Sequence, residues 1–353
     1  MKKILINTPR IDSLGGVSNH YLGLKPYFTK NVKYNEFTSG NYLKRKYGSF
    51  SKILRPLFFS FELIKFIMLI FINKKPNILL NPSFNKGSLK RDLIFLKISK
   101  LFNCKVFVFI HGWDYDYSNS IDYLDNNWKS VDSFFVLAHE FKINLINYGI
   151  KVPINIVTTK VDDKLIDGIH LTTKTNIKSL LFLARIEEKK GVLIALECFK
   201  MLKTKHNNLT LTIVGSGTAL NKAKEIVNNN EIKGVHFTGA LHGEELRNQF
   251  LKTDLYIFPT YHGEGLPTTV LEAMAFGLPI VSRGVGGLKD IFINNKMGFI
   301  TDSMDAKVFA ELIDTFISDK ELVKKVSLFN KDYAKNNFMA SSVAPKLESL
   351  IIQ

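Results

Sequence analysis

Short apolar runs alternate with amphipathic stretches along most of the chain. Nine of these runs are nearly continuous in β-branched or aromatic residues, which predicts strands that are buried on both faces. The predicted strands are residues 4–7, 78–80, 106–110, 133–137, 179–183, 209–214, 235–238, 255–258 and 279–282. Because helical stretches separate them, the pattern predicts an α/β protein with parallel sheets.

The series of strands and helices starts afresh in the second half of the chain, which predicts two doubly wound domains. A polar stretch without sustained periodicity, residues 156–176, has the character of a linker. We therefore expect an N-terminal domain over residues 1–165, a C-terminal domain over 166–330, and a last amphipathic helix over 331–353.

Residues 57–72 form a long apolar stretch that is interrupted only by Glu62 and Lys65. The stretch is shorter than the about 20 apolar residues that a membrane-spanning helix needs. It fits a buried helix, but also a helix on a membrane surface, because basic residues flank it. The flanking residues are Lys44, Arg45, Lys46, Lys52, Arg55, Lys74 and Lys75. A core helix with one exposed apolar edge would satisfy both interpretations.

The composition is that of a globular protein with enough apolar material for two cores, since 46% of the 353 residues are hydrophobic. Cys104 and Cys198 lie far apart, which argues against a disulfide framework or a zinc site and favours a reducing compartment. The first residues, MKKILINTP, fit a buried strand better than a signal peptide.

The net charge of +16 is concentrated in the first 100 residues, where 19 Lys and Arg face 4 Asp and Glu. Such asymmetry favours a polyanionic partner, namely anionic lipid, a pyrophosphate-linked substrate or nucleic acid, although a solubilising surface also explains it. No RRM, KH or zinc-finger pattern accompanies the charge. A nucleic-acid-binding protein therefore stays a remote alternative, and we expect no nucleic-acid partner.

The stretch from Phe258 to Gly287 carries the most specific pattern for chemistry. A glycine-rich turn around Glu264 follows a predicted strand, and a helix is expected to begin at Pro267, because proline suits the first helical position. The backbone N–H groups of Thr268 and Thr269 would then lie at a positive helix end, which binds phosphate.

Two carboxylates frame this helix start, Glu264 in the turn and Glu272 on the helix. A diphosphate at the helix end would place a sugar near one carboxylate and a ribose near the other, and carboxylates accept well from vicinal hydroxyls. The alternative is a capping turn with two surface glutamates.

A basic pair, Arg185 and Lys190, follows the predicted strand at residues 179–183 and precedes Gly191. The carboxyl ends of strands are where α/β sheets bind ligands. These two cations could neutralise a leaving diphosphate, although a solvated loop is the alternative.

Two further glycine turns, Gly15-Gly16 and Gly215-Ser216-Gly217, each follow a predicted strand. Glycine lets the backbone approach a phosphate closely. Neither turn has the GxGxxG spacing, so plain strand-to-helix connections explain them equally well.

His111 directly follows the predicted strand at residues 106–110, where it could reach a substrate hydroxyl; a histidine satisfied by local backbone is the alternative. Asp114 and Asp116 lie nearby without further ligands at recognisable spacing. We therefore expect no metal.

The motifs resemble the retaining glycosyltransferase family 4. Its pattern E-G-x-P-x-x-x-x-E-A is matched by Glu264, Gly265, Pro267, Glu272 and Ala273, and its Arg…Lys-Gly pattern by Arg185, Lys190 and Gly191. Gly15 and Gly16 match its N-terminal glycine pair, and His111 its acceptor-side histidine. The resemblance is strong from residue 179 to 300 and diffuse before residue 157. The usual Asn-Gly turn before the linker is replaced by residues 157–162, VTTKVD.

The resemblance implies a GT-B fold, in which two Rossmann-like domains face a central cleft and the last helix crosses back to the N-terminal domain. It also implies retention of anomeric configuration without a metal or other cofactor. Glu264 and His111 are the implied catalytic residues. The implied donor-binding residues are Gly15, Gly16, Arg185, Lys190, Gly215, Gly265, Leu266, Pro267, Thr268 and Glu272, with Glu272 on the ribose and Glu264 on the transferred sugar.

The implied donor is a nucleotide-sugar, with UDP favoured, and the implied acceptor is a saccharide or a lipid-linked saccharide in polysaccharide, lipopolysaccharide or glycolipid synthesis. With the basic residues 41–75, this predicts a cytoplasmic protein held peripherally on the inner, anionic face of the cell membrane. A nucleotide-sugar 2-epimerase, a phosphorylase or another GT-B enzyme remains an alternative.

Overall fold

The computed structural model describes residues 2–13, 15–38, 40–83, 86–113 and 126–352. They form two compact units, one comprising Met1–Lys160 with Ala340–Gln353 and the other Val161–Met339. Each unit contains a six-stranded sheet in which every pair of neighbouring strands is parallel. Both sheets are therefore of the buried, helix-covered kind that the sequence predicts.

The first sheet has the order β2-β1-β3-β4-β5-β6. Its strands are β1 (Ile4–Pro9), β2 (Val32–Phe37), β3 (Asn77–Leu80), β4 (Val106–Ile110), β5 (Ser133–Val136) and β6 (Ile154–Ile156). Among the described residues, five helices of this unit come before the chain enters the second unit: α1 (Gly16–Leu24), α2 (Gly40–Tyr47), α3 (Ser51–Ile72), α4 (Lys86–Leu101) and α5 (His139–Asn147).

The second sheet has the order β12-β11-β10-β7-β8-β9. Its strands are β7 (Ser179–Leu183), β8 (Thr210–Val214), β9 (Val235–Gly239), β10 (Leu255–Phe258), β11 (Ile280–Arg283) and β12 (Gly298–Thr301). Its helices are α6 (Val192–Lys205), α7 (Leu220–Asn229), α8 (Gly243–Lys252), α9 (Thr268–Ala275), α10 (Leu288–Ile291), α11 (Ala306–Ser318) and α12 (Lys320–Asn337). The last helix, α13 (Ala340–Ile352), belongs to the first unit.

All nine predicted strands are confirmed, with ends shifted by at most two residues. The structure adds β2, β6 and β12, which lie at sheet edges. Their residues are only partly covered, as the mixed burial along each strand shows. The continuous apolar runs that mark a central strand are therefore missing from them.

The first unit boundary differs from the predicted position after residue 165 and falls between Lys160 and Val161. Val161 is fully buried and donates its N–H to the carbonyl of Phe338 (2.7 Å). The guanidinium of Arg247 donates to the carbonyls of Leu165 and Asp167. These bonds attach the polar stretch to the second unit, so it is not a free linker.

The second boundary also differs, because the predicted single helix over residues 331–353 is two helices, α12 and α13. The amide of Asn330 is buried and donates to the carbonyls of Leu278 and Met297, both at 2.8 Å. Residues 331–337 therefore stay with the second unit. The buried carboxylate of Glu348 accepts from the N–H of Thr29 (3.0 Å), which holds α13 to the first unit.

Helix α3 is apolar on two opposite faces. Phe66 and Ile70 are fully buried in the first core, where Phe66 packs edge-on against Phe95 of α4. With 3.6 residues per turn, a second apolar row falls on the opposite face. We call this row the apolar stripe; more than half of each side chain is exposed, and its members are Phe50, Ile53, Leu57, Phe61, Ile64, Met68, Phe71 and Ile72. The segment is thus a core helix with one exposed apolar edge.

None of the helices in the described ranges combines the length and the apolarity that a bilayer span requires.

Candidate active site

Each sheet has one point where the strand order reverses. In the second sheet β7 lies between β8 and β10, and in the first sheet β1 lies between β2 and β3. Ligands of open α/β sheets bind outside the carboxyl ends of strands at such a reversal. Arg185 and Lys190 follow β7, and Glu264 follows β10. The predicted basic pair and the predicted carboxylate therefore lie beside the same reversal.

Lys190 and Glu264 form an ion pair in the second unit. Lys190 ends a short 3₁₀ turn, Glu188–Lys190, and only 6% of the residue is exposed. Its ammonium donates to Oε1 of Glu264, which lies 74 positions further along the chain. The structure thus joins two motifs that the sequence presents separately.

Gly191 explains how these two segments come so close. Its φ of 86° is left-handed, and a Cβ built on it would lie 2.2 Å from the carbonyl oxygen of Pro259. Next to this contact, the N–H of Tyr261 donates to the carbonyl of Lys189 (2.9 Å). Any side chain at position 191 would force the lysine turn away from the segment after β10.

Helix α9 begins at Thr268 and not at Pro267, so the predicted helix start is one residue too early. Pro267 is the cap residue; its ψ of 107° is extended, and its carbonyl accepts from the N–H of Val270 (3.1 Å). The first turn holds no acidic residue. The N–H groups at the start of a helix have no intrahelical partner, so this end can bind an anion.

Gly265 and Leu266 are buried within the turn that leads into α9. Behind the turn, the buried hydroxyl of Tyr256 donates to the carbonyl of Leu183 (2.8 Å) and lies 2.7 Å from Oγ1 of Thr269. Burial raises the pKa of Tyr256 well above its ordinary value, so the phenol stays neutral and links β7 to α9.

Gly286 is a site residue that the sequence analysis missed. A Cβ on it would lie 2.0 Å from the carbonyl oxygen of Glu264, and its φ is 47°. The N–H of Gly287 then donates to the carbonyl of Gly265 (2.6 Å). The sequence signal for this role was the group of glycines in the string RGVGG, which begins at the last residue of β11. These glycines support the turn that contains Glu264.

Glu272 is half-buried one turn into α9. Arg185 is more open: 64% of its side chain is exposed, and its guanidinium pairs with Glu187 at 2.6 Å. Gly215 lies behind the Arg185 loop, where a Cβ would be 1.9 Å from the carbonyl oxygen of Ala184. Gly215 therefore supports the loop through close backbone packing.

His262 lies close enough to Lys190, Glu264, Arg185 and Glu187 for their charges to act on its pKa. Its pKa is lowered below the ordinary value, first by burial and next by the Lys190 cation, with Glu264 acting in the opposite direction. The imidazole is therefore neutral near pH 7 and can accept a hydrogen bond. The sequence placed His262 in the turn but gave it no role.

In the first unit, Gly15 precedes α1 with φ 156°, and Gly16 is its first residue. Both are exposed, and no atom lies within 4 Å of a Cβ built on either. They line a cavity of about 890 Å³ that also contains lysine and arginine side chains.

His111 follows β4 and donates from Nε2 to Oδ1 of Asn81 (3.0 Å), an oxygen that also accepts from the hydroxyl of Tyr21 (2.6 Å). The amide of Asn81 donates to the carbonyl of Asn7, which fixes its orientation. The proton of His111 is thus on Nε2, and Nδ1 carries a lone pair. Burial lowers the pKa of His111 to about 3, so it is neutral and can accept from a hydroxyl. Asn81, which orients it, was missed.

Asp114 and Asp116, considered and set aside as metal ligands, lie outside the described residues. Among the residues that the structure does describe, no group of three His, Cys, Asp or Glu side chains could hold a metal ion.

Comparison with known proteins shows a family match for the second unit and a fold match for the chain. Residues 170–332 match the model of the family described as glycosyl transferases group 1. The chain is 26% identical over 215 residues to the capsular polysaccharide biosynthesis glycosyltransferase CapM of Staphylococcus aureus, an alignment that covers 61% of this chain and 56% of CapM. It is 28% identical over 178 residues to the amylovoran biosynthesis glycosyltransferase AmsK of Erwinia amylovora, covering 49% and 41%. The chain thus spans about half the length of these curated relatives.

The solved structure of HepE from Anabaena, in complex with UDP and glucose, superposes with a TM-score of 0.76 over 100% of both chains, at 14% identity. This likeness confirms the predicted GT-B fold with two Rossmann-like domains. Residues 170–332 of this chain therefore form a glycosyl transferases group 1 domain within a GT-B fold.

Proposed function

We propose that this chain is a retaining, metal-independent glycosyltransferase that transfers a sugar from a nucleotide-diphosphate sugar. One observation carries the proposal: the buried Lys190–Glu264 pair lies after the two strands that flank the reversal of the second sheet, and α9 follows Glu264. A cation, a carboxylate and an anion-binding helix end are the groups that a sugar diphosphate requires.

The donor would be held mainly by the second unit. Its diphosphate would accept from the N–H groups at the start of α9 and from Arg185 and Lys190, while Glu272 would bind the ribose. Glu264 would accept from hydroxyls of the transferred sugar. UDP is the favoured nucleotide, and the structurally similar HepE, which was solved in complex with UDP and glucose, supports this choice.

In the transfer, the bond between the anomeric carbon and the diphosphate oxygen breaks, and the nucleoside diphosphate leaves with the electron pair. The anomeric carbon bonds to the acceptor oxygen on the same face, and the acceptor proton passes to the leaving phosphate. Arg185 and Lys190 would stabilise the developing negative charge, as a divalent cation does in other enzymes. Both are part of the chain, which supports metal independence.

His111 would act on a substrate hydroxyl. With its proton held on Nε2 by Asn81, the neutral ring presents the lone pair of Nδ1 as an acceptor. Such a hydrogen bond orients the hydroxyl.

The acceptor would be a saccharide or a lipid-linked saccharide in surface polysaccharide, lipopolysaccharide or glycolipid synthesis. Support comes from CapM and AmsK, which are named for capsular polysaccharide and amylovoran synthesis.

We further propose that the first unit binds the anionic, cytoplasmic face of the membrane through residues 41–75. The apolar stripe of α3 is exposed, and Phe61 in it is 73% exposed. Exposed basic residues accompany it: Lys44, Arg45, Lys46, Lys52, Arg55, Lys65, Lys74 and Lys75. Apolar side chains flanked by cations are what an anionic leaflet binds.

The donor assignment is tested with the purified chain, a panel of UDP- and GDP-sugars, and a chelator. Thermal shift reports binding, and nucleotide release reports turnover. We expect one donor to stabilise the wild type and to lose its nucleotide slowly despite the chelator. Arg185→Ala and Glu272→Ala should weaken donor binding, whereas the control Lys233→Ala, at an exposed position of the same unit, should not.

The donor-site assignment is wrong if no nucleotide-sugar shifts the wild type, or if both variants respond as it does. Release of free nucleotide together with a 2-epimeric sugar, without an acceptor, would instead identify an epimerase.

A further inference from the structure

We propose that the cavity beside α1 in the first unit binds the phosphate or diphosphate head of a lipid acceptor, and that an adjoining groove binds its apolar tail. This names the chemical class of the acceptor, and it therefore rests on the transferase function proposed above.

The cavity is electropositive. Its volume of about 890 Å³ lies within the usual range of small-molecule sites, and its lining includes Lys44, Lys52, Arg55 and Arg91. Within its described lining there is no carboxylate. Lys44, Lys52 and Arg55 have no ion-pair partner among the described residues, whereas Arg91 pairs with buried Asp92. Nε of Arg91 is buried without a hydrogen-bond partner. The cavity therefore favours an anion with several charges.

Two helices begin at this cavity. Gly16 at the start of α1 and Gly87 in the first turn of α4 both line it. Neither helix has an acidic residue in its first turn. Their positive ends add to the field of the four side-chain cations, and phosphate oxygens suit such N–H donors.

An apolar groove of about 400 Å³ adjoins the cavity and shares Lys52, Arg55 and Arg91 with it. The apolar part of its wall is formed by Pro56, Phe58, Phe59 and Ile94. Its one carboxylate among the described lining, Glu62, is engaged by the N–H of Thr38. Burial raises the pKa of Glu62 above its ordinary value. Cations between a polar cavity and an apolar groove fit an amphiphile with a phosphate head.

The donor could also supply a diphosphate, and the family resemblance assigns Gly15 and Gly16 of this cavity to the donor. The second unit, however, already provides the donor diphosphate with Arg185, Lys190 and the start of α9. A further four cations in the first unit exceed what one donor diphosphate needs. The groove has no counterpart in a nucleotide-sugar, whereas it fits the hydrocarbon chain of a lipid. The apolar stripe lies on the same helix, α3. It would attach the protein to the membrane that contains the lipid.

The test uses the full chain and three probes, measured by calorimetry: farnesyl diphosphate below its micellar concentration, inorganic diphosphate, and farnesol. We expect farnesyl diphosphate to bind about tenfold more tightly than inorganic diphosphate, and farnesol to bind weakly. Lys52→Ala/Arg55→Ala should weaken farnesyl diphosphate by at least about tenfold. Lys30→Ala/Lys33→Ala removes the same charge from exposed positions of the same unit and should change affinity less than about twofold.

A second variant tests the tail. Phe58→Ala should weaken the binding of farnesyl diphosphate but leave the binding of inorganic diphosphate unchanged, because only the apolar tail reaches the groove. Equal affinities for the two diphosphates in the wild type would overturn the tail site. Equal losses of farnesyl diphosphate affinity in Lys52→Ala/Arg55→Ala and in Lys30→Ala/Lys33→Ala would overturn the assignment of the cavity.

Competition separates this site from the donor site. We expect saturating UDP to leave farnesyl diphosphate binding intact, and Arg185→Ala to lose UDP but not the lipid probe. Displacement of the probe by UDP would assign the cavity to the donor and overturn the proposal. If UDP binds neither the wild type nor any variant, the proposed function is contradicted. The binding of farnesyl diphosphate is measured separately and still tests the cavity.

Discussion

Lys190 and Glu264 form a buried ion pair across 74 positions of the chain, with 8% and 17% of their side chains exposed. The contact exists because Gly191 lets the lysine turn touch the backbone of Pro259. Water screens such a pair poorly, so each charge depends on the other for its stability.

Replacing one partner tests this dependence. We expect Lys190→Ala to lower the free energy of unfolding by about 2 kcal/mol, because it leaves the partly buried Glu264 carboxylate without its ammonium partner. Glu264→Gln keeps the shape and an acceptor for Lys190, so it should unfold closer to wild type while transfer is lost. Chemical denaturation and nucleotide release measure the two effects. Equal stability of Lys190→Ala and wild type would contradict the buried pair.

Gly286 should be sensitive to a single methyl group. In Gly286→Ala the Cβ would meet the carbonyl of Glu264, and φ 47° is strained for alanine, so we expect a loss of at least about 2 kcal/mol and weaker donor binding. Gly284→Ala is the matched control, since its Cβ would meet only the flexible side chain of Lys289 and Asp302. Denaturation curves that rank the two variants equally would refute the role of Gly286.

His111 should affect turnover more than donor binding. We expect His111→Ala to lower kcat by about 100-fold, because the lone pair on Nδ1 that accepts a hydrogen bond from the substrate hydroxyl is lost. The affinity for the nucleotide should stay near that of the wild type. Asn81→Ala should lower kcat less, since the ring remains but its tautomer is no longer fixed. An unchanged kcat in His111→Ala would remove the residue from the catalytic set.

The same histidine should make the fold acid-sensitive. Its pKa is lowered to about 3 in the folded protein from an ordinary 6.5, because burial disfavours the imidazolium. Between these values the unfolded chain binds a proton that the folded chain does not, so the free energy of unfolding falls as the pH drops below about 6.5.

Denaturation at about pH 7.5 and at about pH 5 gives the loss of unfolding free energy between the two pH values. This loss should be smaller in His111→Gln than in the wild type. His170→Gln, at an exposed position, should lose as much as the wild type. The same loss in all three proteins would show that His111 does not carry the effect.

The apolar stripe should govern membrane attachment. Phe61→Ser/Met68→Ser removes two of its exposed side chains, and we expect weaker sedimentation with vesicles that contain anionic lipid. Ile143→Ser/Ile146→Ser removes two exposed isoleucines of α5 in the same unit and should sediment like wild type. Raised salt should release wild type from the vesicles. Binding that ignores both salt and the stripe would contradict the proposed attachment.

The sequence alone predicted the central strands and the chemistry of the donor motif. A central parallel strand must be apolar on both faces, so a run such as residues 106–110 identifies itself without any knowledge of its neighbours. The turn with Glu264 and the pair Arg185 and Lys190 were likewise found, because residue type and spacing express their chemistry directly. Their assigned roles remain predictions.

Tertiary structure decided what depends on distant contacts. Edge strands such as β2 are paired on one side only, so their sequences lack a continuous apolar run. The bond from Asn330 to Leu278, which keeps the end of α12 in the second unit, joins residues 52 positions apart. The carbonyl of Glu264 likewise makes position 286 require glycine.

Helix α3 shows the limit most clearly. Its sequence is apolar on two faces, and periodicity cannot tell which face the core will cover. Packing against α4 buried Phe66 and left Phe61 exposed. The sequence therefore determined which segments are apolar and which residues can do chemistry, whereas only the fold decided which apolar faces are covered and which chemical groups meet. The physical reason is that burial and contact are properties of pairs of segments, and one segment does not encode its partner.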